Sequence, residues 1–175
     1  MKKVIVVLAF LAGGLLVNAQ DDTGATSEGR WLIEANTGFG GDGLAHGANT
    51  SFGLSTSDGS TIWAVGGEAG YFVIDDLAIK VGLGYTDLDG FSLFTYKLGA
   101  KYYINSAIPV QLDLTGGSIQ DADENPLYLG MQGGYAIFIS NSVSIEPGLR
   151  YNFSLNDQFT EEGIFEIRVG FVIHI

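Results

Sequence analysis

Few residues in this chain are of types that carry out covalent chemistry. It has two histidines, His46 and His174, and no cysteine, which closes thiol nucleophiles, structural disulfides and lipid attachment through cysteine. A serine hydrolase needs its serine and histidine within hydrogen-bond reach. No such pair is visible in the sequence. His46 with a nearby serine such as Ser51 is the only option, and His174 near the end of the chain reads as a structural partner. Asp121, Asp123 and Asn125 have the spacing that opens a calcium loop. Pro126 then stands where glycine makes the sharp turn, and Gln132 where a bidentate glutamate closes the shell, so the pattern is not an EF-hand. The expectation is therefore no catalytic residue, no metal ligand set and no cofactor.

The charged residues are more informative. Glu34, Glu68, Asp113, Glu146 and Glu166 are five acids, and Lys80, Lys97, Lys101, Arg150 and Arg168 are five bases. Each lies in a stretch where polar or small residues alternate with large apolar ones, and each falls on the polar side of that alternation. Between Leu77 and Tyr85 the rule is plain. Leu77, Ile79, Val81, Leu83 and Tyr85 share one face, while Ala78, Lys80, Gly82 and Gly84 share the other. A period of two is the signature of a strand. The same reading predicts eight strands, over 31–39, 62–73, 77–86, 91–104, 108–115, 127–138, 143–153 and 164–175. The segment from Thr50 to Ser55 also alternates and is left between loop and strand extension. Pro147 falls inside the seventh strand, where it cannot donate to the ladder, so a bulge or a missing bond is expected there.

The connections alternate in length. Ile74-Asp75-Asp76, Asn105-Ser106-Ala107 and Ser140-Asn141-Ser142 are tight turns, and longer links lie between them. Short turns on one rim and long loops on the other are a feature of membrane barrels. The loops carry Asp42, Asp58, Asp87, Asp89, Asp121, Asp123, Glu124, Asp157, Glu161 and Glu162 without a lysine or arginine. Such a surface is solvated and self-repelling, or attracts cations or a basic partner.

Composition and the first residues fix the setting. Lys2 and Lys3, the apolar run 4–17 and the small-residue box Val17-Asn18-Ala19 read as a cleaved export signal over 1–19. A short flexible lead over 20–29 and a single domain over 30–175 follow. Loss of Lys2 and Lys3 takes the formal charge from -12 to -14. So acidic a chain is not expected to bind nucleic acid. Its mean hydropathy is nonetheless positive. After the leader no apolar run approaches the roughly twenty residues a membrane helix needs.

The topology turns on the ten charges. An inverted register would place them in lipid, where each basic group costs roughly 2–4 kcal/mol at mid-bilayer and acids somewhat less. The total would exceed about 10 kcal/mol. Inside a narrow cylinder, five of each sign can pair, with Asn36, Gln111, Tyr128, Gln132 and Asn152 filling between them. The aromatics fall at strand ends, as interfacial belts do. Trp31, Tyr71, Tyr102 and Phe171 form one belt; Phe39, Trp63, Tyr85, Phe94, Tyr151, Phe153 and Phe165 form the other. The fold expected is an eight-stranded antiparallel up-and-down transmembrane β-barrel.

The run Gly70-Tyr71-Phe72, then Asp75-Asp76-Leu77-Ala78 and a glycine-containing strand closing in Tyr85, resembles the outer-membrane barrel domain of OmpA/OmpX-type proteins. The C-terminal Arg168-x-Gly170-x-x-Ile173-x-Ile175 is similar to the terminal strand signal read by the barrel-assembly machinery, with isoleucine in place of the usual final aromatic. The resemblance spans the chain beyond the leader. It implies the outer membrane of a Gram-negative-type bacterium, a lipid bilayer as surroundings and the assembly machinery as a partner during insertion. Function is expected to be structural or surface-interacting, without catalysis. The competing class is a narrow channel for ions or small solutes.

Overall fold

The computed structural model describes residues 24–39, 53–57, 60–87, 90, 92–120 and 122–175. The proposed leader, His46, Ser51, Asp42, Asp58, Asp89 and Asp121 lie outside them, as does the side chain of Phe39. Among the described residues there are ten strands: β1 (Trp31–Phe39), β2 (Gly53–Ser57), β3 (Ser60–Ile74), β4 (Leu77–Asp87), β5 (Ser92–Ile104), β6 (Ile108–Ile119), β7 (Leu127–Gly134), β8 (Ile137–Ser140), β9 (Val143–Ser154) and β10 (Ile164–His174). They form one antiparallel sheet in the order β1-β10-β9-β7-β6-β5-β4-β3-β2, and β1 also pairs with β3. That last pairing closes the sheet into a barrel of eight staves. β7 and β8 are two lengths of one stave, both paired with β9, and β2 lies on the upper part of β3.

The tight turns account for the up-and-down order. Asn105 and Ser106 both have positive φ, 51° and 54°, and Ala107 N–H closes the turn on the Ile104 carbonyl at 3.2 Å. Asp76, at φ 65°, serves the β3–β4 turn. These turns lie on one rim together with both ends of the described wall. There Trp31 and Ile175 exchange backbone hydrogen bonds of 2.6 and 2.8 Å. Residues 24–29, expected to belong to a flexible lead, are turned back beneath this rim. Thr26 Oγ1 donates to Asp76 Oδ1 at 2.6 Å, and Asp76 N–H donates to the Thr26 carbonyl at 2.8 Å. Arg30 donates to the carbonyls of Gly24 and His174, so it fastens the lead to the last strand.

Pro147 leaves its mark on the neighbouring stave. Tyr135 N–H donates to the Pro147 carbonyl at 3.0 Å, but the reciprocal bond of that pair needs an N–H that proline lacks. The stave breaks there, between the end of β7 at Gly134 and the start of β8 at Ile137. Pro109 of β6 flanks the break on the other side, where Ala136 N–H turns to the Ala107 carbonyl at 2.7 Å. One expected strand over 127–138 is thus two. The alternating segment after Thr50 is resolved as β2 from Gly53 onward, in register with Ser60–Ala64.

Where two staves press closely, glycine is required. Gly99 of β5 faces Asp113 of β6, and a β-carbon on Gly99 would stand 2.6 Å from the Leu112 carbonyl oxygen and against the Asp113 side chain. Backbone cannot withdraw from such a contact cheaply. Gly99→Ala is expected to destabilise the barrel by about 1–3 kcal/mol, read as a lowered urea midpoint of the detergent-folded protein. An unchanged midpoint would show that β5 and β6 can part freely.

Candidate functional site

The strand alternation delivers two surfaces of opposite character. Leu83, Val110 and Ile167 are 59%, 42% and 50% exposed on the outside of the cylinder, whereas none of the ten charged residues exceeds 3%. Trp31, Tyr71, Tyr102 and Phe171 stand outward toward the turn rim, and Trp63, Tyr85, Phe94, Tyr151, Phe153 and Phe165 outward toward the loop rim. Trp31 meets Tyr71 edge-on with centroids 5.1 Å apart, and Tyr151 meets Phe153 at 4.6 Å.

Inside, all ten charges connect. Lys101 bridges Glu146 at 2.5 Å and Glu34 at 2.8 Å. Lys80 bridges Glu34 at 2.5 Å and Glu68 at 2.7 Å, and Lys97 meets Glu68 at 2.6 Å. Lys80 also donates to Gln111 Oε1 at 2.8 Å, and Gln111 Nε2 donates to Asp113 at 2.6 Å. Asp113 receives both Arg150 Nη atoms at 2.7 Å in a forked pair, with Thr115 donating to it at 2.8 Å. Arg150 Nε donates to Asn152 Oδ1 at 2.8 Å, and Asn152 Nδ2 to Glu166 at 2.9 Å. Glu166 reaches Arg168 at 3.5 Å and Arg150 at 3.8 Å. Room for these long side chains comes from glycines on the same inner face. At Gly130 a β-carbon would collide with the Arg150 guanidinium and stand 2.7 Å from Asp113 Oδ1.

Below the ionic tier, toward the turn rim, lies an apolar one that the strand reading did not single out. Leu32, Phe72, Ala78, Tyr103, Ala136 and Val172 are buried together within the cylinder, and Phe138 packs against them. In the sequence Leu32, Phe72 and Val172 do fall on the polar side of their strands, which was the available signal. Tyr103 couples the tiers, donating its hydroxyl to Glu146 Oε1 at 2.9 Å. His174 sits against this cluster, its ring 5.3 Å from that of Phe138 and 6.0 Å from that of Tyr103. Ala25 and Thr26 of the turned-back lead are themselves buried.

One expectation needs correction. A serine and a histidine do meet: Ser144 Oγ is 3.1 Å from His174 Nε2. Residues 30 apart in sequence face each other because β9 and β10 pair Ser144 with Val172 and Val143 with Ile173. The geometry is not that of a nucleophile, since the Ser144 hydroxyl donates to Glu146 Oε1 at 2.9 Å and both residues are fully buried. Among the described residues no group of acids, histidines or cysteines is arranged to hold a metal ion. Of the acids assigned to the loops, Asp87, Asp123, Glu124, Asp157, Glu161 and Glu162 are among the described residues, Asp87 as the last residue of β4. Glu124 accepts from Asn156 at 3.2 Å.

A closed antiparallel wall, apolar outside, belted with aromatics and ionic within, defines a small eight-stranded transmembrane β-barrel of outer-membrane type. Among solved structures the chain is similar to the N-terminal β-barrel domain of Pseudomonas aeruginosa OprF, with a TM-score of 0.58 at 16% identity over 85% of this chain and 98% of that one. Neisserial surface protein A gives 0.49 at 19% identity over 83% and 99%, and Yersinia pestis Ail gives 0.47 at 14% over 83% and 100%. At 16% identity the likeness to the OprF domain is one of fold. No family model and no curated protein sequence matches the chain.

The forked Asp113–Arg150 pair is held by both guanidinium Nη atoms. Asp113→Ala takes away the forked counterion and leaves the buried guanidinium only Glu166, at 3.8 Å, as an ionic partner; it is expected to cost about 3–5 kcal/mol. The joint change Asp113→Leu with Arg150→Met removes both charges and should cost much less. Urea titration of the folded barrels in detergent checks both, and equal losses for the single and joint variants would contradict a paired lumen.

Proposed function

We propose that the chain is an integral outer-membrane protein acting as a sealed structural or surface-interaction barrel, without catalysis. The observation that carries this reading is the two-tier filling of the lumen: an ionic tier without a gap in its connections, above an apolar tier of fully buried side chains. An ion entering would have to displace paired charges and then cross Phe72, Tyr103 and Leu32. Export by a cleaved leader over 1–19 and insertion by the assembly machinery complete the proposal. Contact with the outside falls to the loop rim, whose acidic character suits cations or a basic partner.

The non-catalytic reading is supported by where the described reactive groups lie. Ser144 and His174 are locked into structural bonds inside the wall, away from both the loop rim and the lipid. Purified protein in a planar bilayer is expected to give no steady openings. Steady unitary currents from the unaltered protein would favour the competing reading, a narrow channel for ions or small solutes. In the sealed reading Phe72→Ala combined with Lys101→Ala, which thins both tiers, introduces openings that the unaltered chain lacks.

A further inference from the structure

The barrel closes where β1 meets β10. Every other pair of adjacent staves is consecutive along the chain, whereas these two come from opposite ends of the wall. The ladder across the join runs from Leu32↔His174 to Phe39↔Ile167, and Trp31 and Ile175 add their exchanged bonds at the rim. With no cysteine in the chain, no disulfide fastens it.

At this rim the bonds of residues 24–30 run in series from one side of the join to the other. On the β3 side, Asp76 Oδ1 accepts from Thr26 Oγ1 at 2.6 Å and from Ser106 Oγ at 2.9 Å, and Asp76 N–H donates to the Thr26 carbonyl at 2.8 Å. Glu28 N–H donates to Asp75 Oδ1 at 2.9 Å. The segment then reverses through a turn in which Arg30 N–H donates to the Ser27 carbonyl at 3.3 Å. Gly29 stands in that turn at φ 87°, a conformation that favours glycine. On the β10 side, one Nη of Arg30 donates to the Gly24 carbonyl at 2.7 Å and the other to the His174 carbonyl at 3.1 Å. One guanidinium thus joins the segment to the last stave.

Two features set this apart from a tail resting on a rim. Ala25 and Thr26 are buried as fully as the apolar tier itself. The anchors also come from three separate places: the β3–β4 turn, the β5–β6 turn and the end of β10. In an open sheet the last of these lies at the far edge.

We propose that residues 24–30 form a clasp that locks barrel closure. It is completed only when β10 has met β1, and it then ties the β3–β4 turn to the last stave across the root of β1. A contact made after the rate-limiting step slows unfolding and leaves the folding rate unchanged. Such a lock counts in this barrel because its buried ion pairs contribute little net energy while intact. It is independent of whether the lumen conducts.

Thr26→Val and Arg30→Gln, made singly and together in the full chain, test the clasp, with heat-modifiable gel mobility checking that each variant folds. Each single variant is expected to unfold in urea about fivefold or more faster than the unaltered barrel in detergent, with folding rates within about twofold. Because bonds in series fail together, the paired variant should unfold within about twofold of the faster single one. Thr26→Ser keeps the hydroxyl and should keep the original unfolding rate. Unchanged unfolding in both single variants would overturn the clasp. So would folding slowed as much as unfolding is quickened, or single effects that multiply in the pair, which would mark independent surface bonds.

Discussion

Ten opposite charges enclosed by a wall too narrow to hydrate them freely form the constraint from which the rest of this molecule follows. Each buried ion has to find its counterion, because a charge in a low-dielectric interior without one is too costly to keep. That requirement sets the register of every stave, since a slip by one residue would carry Lys80, Lys97 or Arg150 into hydrocarbon. It also demands glycines at Gly99 and Gly130, where a larger residue would occupy the volume of a neighbouring side chain. The ionic tier is thus a specification of register more than a reserve of stability. Buried pairs contribute little net energy when intact and cost a great deal when broken.

The apolar tier works by a different physics. Leu32, Phe72, Tyr103 and Val172 reverse the inward-polar rule at the turn rim and make a small conventional hydrophobic core within an inverted protein. His174 and Ser144 join it to the ionic tier through Glu146, and the turned-back lead closes beneath it. Irregular features of the wall include the two prolines, the split stave β7–β8 and the short β1–β3 ladder. At Pro147 the ladder lacks an N–H, and at β3 both β1 and β2 pair with one edge.

Transmembrane character, strand count and turn positions were readable because a two-residue period and ten awkwardly placed charges leave few alternatives. The face occupied by Glu34 or Arg168 is a local property, fixed by parity along one strand. The three tight turns were readable for a similar reason, as short polar interruptions between apolar runs. Leu32, Phe72 and Val172 were harder to place, because an apolar residue on an inward face raises no alarm in a sequence. The division of the stave near Pro147 likewise appears on a neighbour 12 residues earlier in the chain, at Tyr135.

By itself, then, the sequence determined which way each side chain turns, since alternation needs nothing but adjacent residues. Only the tertiary structure decided who meets whom. Lys80 lies between Glu34 and Glu68, Ser144 beside His174, and Asp76 beneath Thr26, because staggered, tilted staves bring distant residues to one height. Stagger depends on how the sheet closes on itself. That closure is a property of all eight staves together, and no single stretch of chain contains it.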